Sequence, residues 1–263
     1  MVAPILVFDS GVGGLSVVQA LRHRLPGVAL AYACDNAMLP YGRREDAWLV
    51  QRIRSVCQAA VAASGCRALV VACNTASTLA LDALRECLTI PVIGTVPAIK
   101  PAASVSRTRH IGLLATTATV SRPYTLRLIQ DFAADCRVTR LAADALVGEA
   151  ERLVVGEVPD RVAIGRALAP LWEASAAEVP PLDTVVLGCT HFPLLRRWLA
   201  EAAPREVAWV DSGEAIARRV AQVVTAPDRC QAAGPSYATA LDERLGKGLA
   251  AFGFAPPRWL QPG

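Results

Sequence analysis

Apolar residues fall in short unbroken runs separated by longer stretches that carry a single apolar stripe, and this alternation predicts strands and helices in turn. Residues 5–8 read as a strand ending at Asp9-Ser10-Gly11, and residues 15–25 as a helix stopped by Pro26-Gly27. Residues 29–34 form a second run, followed by a long helix over 45–64. Residues 68–72 form a third run with Cys73-Asn74-Thr75 at its end and a helix after it to about Cys87. The strand pattern recurs at 91–94, 111–115, 137–141 and 184–188, with helices predicted at 124–134, 160–177 and 194–203. Runs that are apolar at every position suit strands buried on both faces, so the fold class predicted is α/β with parallel-sheet cores.

The chain also echoes itself. Leu69-Val70-Val71-Ala72-Cys73-Asn74-Thr75 lines up with Val185-Val186-Leu187-Gly188-Cys189-Thr190-His191: three aliphatics, one small residue, a cysteine and two polar residues. Upstream of each lies an earlier strand with a polar turn at its end, Asp9-Ser10 in one case and Thr116 to Thr119 in the other. Two related halves, each offering one cysteine at the carboxyl end of a strand, is the economical reading.

Composition narrows the function classes. A length of 263 residues makes room for one large or two small domains, and 53% hydrophobic against 19% charged residues excludes wholesale disorder. The net charge of +4, with acids interspersed among the bases, gives no reason to expect a nucleic-acid partner. The longest apolar runs, such as 28–34 and 68–73, fall far short of the ~18 residues that would span a bilayer. Residues 1–7 are apolar without a basic flank, and Asp9 follows, so the start reads as a buried strand of a cytoplasmic protein. The eight cysteines, Cys34, Cys57, Cys66, Cys73, Cys87, Cys136, Cys189 and Cys230, form no C-x-x-C pair, and the spacing predicts no metal site.

In open α/β sheets, ligands bind beyond the carboxyl ends of the strands. Cys73 and Cys189 are both expected there, each ahead of a helix whose unpaired N–H groups favour a thiolate. Pro193 fits the first turn of the second of those helices, and His191 is close enough in sequence to orient or ionise Cys189. Two such thiols could form a redox pair, exchange protons with opposite faces of a carbon, or divide into one nucleophile and one bystander.

Asp9-Ser10-Gly11-Val12-Gly13-Gly14 has the look of a dinucleotide loop, but Ser16 stands where the third glycine belongs. No acidic residue ends the following strand, although Asp35 comes close. As a tight turn whose N–H groups meet a small carboxylate it fits better, with Asp9 reading an ammonium or bearing on a thiol. Pro40-Tyr41-Gly42-Arg43 is a loop by composition. Thr116 and Thr119 suit helix caps or carboxylate-binding hydroxyls. His23 and His110 read as surface or strand-edge residues, and the apolar run 249–254 with Trp259 as core packing or an interface.

Taken together, several blocks resemble the glutamate racemases of the aspartate/glutamate racemase family. They are residues 7–17 around Asp9-Ser10-Gly11, then Pro40-Tyr41-Gly42, Ala72-Cys73-Asn74-Thr75-Ala76, residues 187–194 around Cys189-Thr190-His191, and Val210-Asp211-Ser212. The blocks come in the family's order and span nearly the whole chain. The related aspartate racemases share the two-cysteine plan, but the opening motif and the Pro-Tyr-Gly loop fit the glutamate branch better.

The resemblance implies a cofactor-independent enzyme that interconverts L- and D-glutamate for peptidoglycan synthesis. It implies two pseudo-symmetric α/β domains, one of residues 1–95 with 210–263 and one of 96–209, and an active site in the cleft between them. By the same resemblance Cys73 takes the α-proton of D-glutamate and Cys189 that of L-glutamate, assisted by Asp9 and His191 respectively. Asp9, Ser10, Pro40, Tyr41, Gly42, Asn74, Thr75, Thr116, Thr119, Thr190 and His191 would then hold the substrate. The partner implied is a small molecule, with neither nucleic acid nor membrane, and the helical surface would tolerate a homodimer.

Two positions depart from the family. An Ala-Cys-Pro segment is replaced by Ala142-Ala143-Asp144-Ala145-Leu146, which leaves Glu151 as the nearest counterpart of the glutamate that approaches the family's active site, and Phe192 replaces a commoner tyrosine. An aspartate or other amino-acid racemase, and a Cys–His hydrolase built on Cys189 and His191, are the competing readings.

Overall fold

A computed structural model describes residues 3–224 and 233–263; Cys230 lies outside the described residues. The chain divides into two compact units, one of Met1–Thr95, Val154–Gly156 and Gly213–Gly263, the other of Val96–Leu153 and Glu157–Ser212. Both are α/β with parallel sheets, as the apolar runs predict.

The first unit opens with β1 (Ile5–Asp9), α1 (Leu15–Arg24), β2 (Leu30–Cys34), α2 (Asp46–Ser64), β3 (Ala68–Val71), α3 (Asn74–Cys87) and β4 (Val92–Gly94). In the second unit come α4 (Ile99–Val105), β5 (His110–Ala115), α5 (Thr117–Val120), α6 (Pro123–Phe132), β6 (Arg137–Ala142), α7 (Ala145–Val154), α8 (Arg161–Ala176), β7 (Thr184–Leu187), α9 (Arg196–Glu201) and β8 (Ala208–Val210). The first unit is completed by α10 (Gly213–Val223), β9 (Ser236–Ala238), α11 (Glu243–Ala251) and β10 (Arg258–Trp259).

The six-stranded sheet of the first unit runs β10-β9-β2-β1-β3-β4, and the four-stranded sheet of the second runs β6-β5-β7-β8. Every residue of β1, β2 and β3 is buried, which is why these strands carry no polar alternation. Helix α2 starts where the Glu45 carboxylate accepts the N–H groups of Ala47 and Trp48 at 2.9 and 2.7 Å, and ends at Gly65 in the left-handed region (φ 57°). Leu249 and Phe254 join the core, whereas Trp259 on the edge strand β10 is exposed.

His110 is not at the surface. It opens β5, which is flanked by β6 and β7, and is 2% exposed, its ring nitrogens 3.3 Å from the Pro180 carbonyl and 2.8 Å from Thr139 Oγ1. A histidine whose two nitrogens both find partners can be buried without penalty.

Candidate functional site

In the first unit β1 and β3 are parallel neighbours, with Phe8 in register with Val71 and the Ala72 N–H donating to the Phe8 carbonyl at 2.8 Å. That pairing brings Asp9, the last residue of β1, and Ser10 after it alongside Cys73, just past the end of β3. Ser10 Oγ lies 3.6 Å from Cys73 Sγ. Asp9 is fully buried, and its Oδ1 accepts the Gly11 N–H at 2.9 Å and the Ser10 hydroxyl at 3.4 Å. The turn is held from behind by Tyr32, whose hydroxyl donates to the Gly11 carbonyl at 2.7 Å. Gly14 leaves room for this: a Cβ there would stand 3.0 Å from Asp9 Cβ and 3.1 Å from the Tyr32 hydroxyl.

Cys73 is the N-cap residue of the fourteen-residue α3, and its side chain makes no capping bond. The N–H groups of the first turn have no partner within the helix, so this end of α3 favours negative charge. Asn74 and Thr75, 5% and 6% exposed, follow in that turn, and Asn74 Oδ1 is a buried acceptor with no partner among the described residues. An orphaned acceptor of this kind awaits an N–H or O–H donor.

Pro40 and Gly42 are half-buried on the loop after β2. Tyr41 points inward: its ring is 2% exposed and its hydroxyl donates to Asp35 Oδ2 at 2.8 Å. Burial and the Asp35 carboxylate together push the Tyr41 phenol well above its ordinary range, so it stays protonated.

In the second unit β5 and β7 pair in parallel, Leu114 in register with Leu187, and the Gly188 N–H donates to the Leu114 carbonyl at 2.8 Å. Thr116 and Cys189 thus follow neighbouring strands, as Ser10 and Cys73 do in the first unit. The hydroxyls of Thr116 and Thr119 are 3.1 Å apart; Thr116 is the N-cap residue of α5 but caps it with no side-chain bond. Thr119, Cys189, Thr190 and His191 are all buried.

Around Cys189 the local structure differs from expectation. No α-helix starts directly after it. A turn and a 3-10 segment (Phe192–Leu195) containing Pro193 intervene before α9 begins at Arg196. The positive charge here comes from a side chain instead. His191 Nδ1 lies 3.7 Å from Cys189 Sγ, and Nε2 lies 2.7 Å from Glu151 Oε1, on α7. Burial opposes a charged imidazole, but the bonds with Cys189 and Glu151 outweigh it and hold the His191 pKa well above the histidine range. Glu151, which in the sequence was reachable only through family resemblance, is thus in contact with His191.

The remaining described cysteines form no disulfide with one another, and those at 34, 57 and 66 are buried. Burial pushes the Cys57 thiol well up, away from reactivity. Among the described residues no group of three or more His, Cys, Asp or Glu side chains could hold a metal ion, and no helix is long and apolar enough to cross a membrane. Sequence reasoning did not single out Arg52 and Thr239, both of which bind Asp35. They lie 17 and 204 residues from it, and no local pattern links such positions.

The chain is similar to known proteins in both sequence and fold. The family model described as Asp/Glu/hydantoin racemase matches residues 15–220. The glutamate racemase of Shewanella woodyi is 44% identical over the full length of both chains, and that of Shewanella loihica is 47% identical over 97% of this chain and 94% of its own. The crystal structure of Escherichia coli glutamate racemase, in complex with L-glutamate and the activator UDP-MurNAc-ala, is 42% identical. It covers 100% of both chains with a TM-score of 0.92.

Proposed function

The chain belongs to the Asp/Glu/hydantoin racemase family and is an isomerase, and from that premise we propose that it interconverts L- and D-glutamate, without a cofactor, by two-base proton transfer between Cys73 and Cys189. The observation that carries this reading is that each unit sets one cysteine beyond a strand's carboxyl end with a polar group at its sulfur. For Cys73 that group is Ser10, at 3.6 Å, and for Cys189 it is His191, at 3.7 Å.

In the L-to-D direction the Cys189 thiolate takes the α-proton, forming S–H as Cα–H breaks. The electron pair passes into the α-carboxylate, and the Cys73 thiol donates its proton to the opposite face, forming the new Cα–H bond and leaving a thiolate. The D-to-L direction exchanges the two roles. Thiols suit this work because both protonation states are accessible near neutral pH. A cationic His191 stabilises negative charge on Cys189, and the N-terminal end of α3 does the same for Cys73.

An α-proton beside a carboxylate is very weakly acidic, so preorganised donors must meet the charge that develops. The N–H groups after Cys73, and the hydroxyls of Ser10, Thr75, Thr116, Thr119 and Thr190, are suited to the substrate carboxylates. Asp9 and the unpartnered Oδ1 of Asn74 are suited to its ammonium. Supply of D-glutamate for peptidoglycan in the cytoplasm is the corresponding role, in keeping with the muramic-acid nucleotide named with the E. coli relative.

The test is to follow the circular dichroism of L-glutamate with purified protein and no added cofactor. The signal should decay to zero, the equilibrium of a racemase, and Cys73→Ser and Cys189→Ser should each reduce the rate by at least about 100-fold. A stable signal with glutamate would defeat the proposal. A Cys73→Ser variant that keeps most of its racemase activity would overturn the two-base assignment.

A further inference from the structure

Asp35 lies just past the end of β2 and is fully buried. Its Oδ1 accepts Arg52 Nη2 at 2.7 Å and the Thr239 hydroxyl at 2.7 Å, while Oδ2 accepts Arg52 Nε at 2.9 Å and the Tyr41 hydroxyl at 2.8 Å. A carboxylate has about four lone-pair sites, and all are taken. Asp35 therefore has no acceptor capacity left for a ligand, and its function is to hold its partners.

Those partners come from three places: the Pro40–Gly42 loop, helix α2, and the residue following β9. The neighbouring Asn36 adds a two-point clamp, donating from Nδ2 to the Ala240 carbonyl at 2.8 Å and accepting the Ala240 N–H at 3.0 Å. The Ala37 N–H donates to the Thr239 hydroxyl at 3.1 Å. Tyr41 packs in one apolar cluster with Cys73 and Ala76, and the turn Tyr41–Arg43 rests against α3.

We propose that Asp35, braced by Arg52 and Thr239, is a positioning residue for catalysis: it tethers the Tyr41 hydroxyl, and through it sets the main chain of Pro40, Tyr41 and Gly42 beside Cys73 to receive the substrate. Tyr41 thus takes part through its backbone, and its phenol is an anchor rather than a ligand. This rests on the racemase reading above. It also accounts for an ion pair in which a fully buried carboxylate meets an arginine that is 19% exposed, since desolvation of the carboxylate offsets much of the attraction and leaves little net stability.

The experiment is steady-state racemisation of glutamate by the full chain and by Tyr41→Phe, Asp35→Asn and Thr239→Val, with thermal melting alongside. Removing the tether should raise KM about five- to twentyfold while kcat stays within about threefold, because binding is lost equally from ground and transition states. The Tyr41→Phe and Asp35→Asn double variant should be no worse in KM than Asp35→Asn alone, since both break one tether. If Asp35→Asn does not fold, Tyr41→Phe and Thr239→Val, which each delete one polar group, decide the matter. Lowered melting temperatures with KM within twofold of the parent would show a network that only holds the fold, and would overturn the inference alone. A parent chain that does not racemise glutamate would remove the inference together with the reading it rests on.

Discussion

Glu151 and His191 are 40 residues apart in the chain and meet at 2.7 Å, Oε1 to Nε2, while the other ring nitrogen of His191 lies 3.7 Å from Cys189 Sγ. The imidazole is almost wholly withdrawn from water, which disfavours its charge, but its two partners more than compensate. Its folded pKa is therefore raised. The stabilisation of the cation is fully present below the ordinary histidine value and is lost as the pH rises through the higher folded one.

Glu151→Gln keeps the shape of that contact and removes its charge. The His191 ring resonances, followed by NMR across a pH series, should titrate above the ordinary histidine range in the parent and move down in the variant. Turnover of L-glutamate should fall about 10- to 100-fold, because Cys189 loses the cation that supports its thiolate. An unmoved titration midpoint would detach Glu151 from the acid–base machinery.

Gly188 fixes where Cys189 begins. A Cβ at this position would stand 3.0 Å from Leu113 Cδ1, 3.1 Å from Ala115 Cβ and 3.3 Å from the Leu114 carbonyl oxygen. The leucine tip can move, but the other two atoms belong to β5 itself. Gly188→Ala should therefore cost about 1–3 kcal/mol of stability by overpacking. It should also slow racemisation in both directions by displacing the sulfur. Denaturant unfolding and kinetics on the same preparation would check this; a variant as stable and as active as the parent would contradict it.

Asp183 contributes to the acid sensitivity of the second unit. Burial alone would raise its pKa. The Thr108 N–H, the Ser106 hydroxyl, the Arg107 N–H and the Thr184 hydroxyl, at 2.7–2.9 Å, bring it down to about 2. The folded value lies below the ~3.9 of an unperturbed aspartate, so the stabilisation is complete above about pH 4 and disappears as the pH falls through about 2. Solvent around this half-buried group reduces the contribution to about 1 kcal/mol. Asp183→Asn should lower stability by that order at pH 7 and leave it nearly unchanged near pH 2, as measured by urea unfolding at the two pH values.

The sequence reveals the sheet positions well and the side-chain partnerships poorly, for physical reasons. Strands such as β1 and β3 are unbroken apolar runs because both their faces are buried, and that pattern is local. Strands β9 and β10 have three and two residues, too few for any period, and were not foreseen. The turn after Cys189 resembles a helix start, since Pro193 suits a first turn, but the chain takes a 3-10 path and α9 begins only at Arg196. Asp35 draws notice as an acid near the end of β2, in the place of a ribose-binding residue. Its actual partners come from α2 and from beyond β9, which only the folded chain brings together.

The central claim is that two different bases act on the two enantiomers, and the measurement that tests it most directly is the early fate of deuterium. Starting from L-glutamate in heavy water, deuterium at Cα should appear in newly formed D-glutamate while the recovered L-glutamate remains unlabelled, because the proton leaves to Cys189 and a solvent-exchanged deuteron arrives from Cys73. Starting from D-glutamate, the labelled and unlabelled enantiomers should change places. Label entering substrate and product at equal rates, or product that keeps its original proton, would mean that a single base serves both faces and would contradict the account.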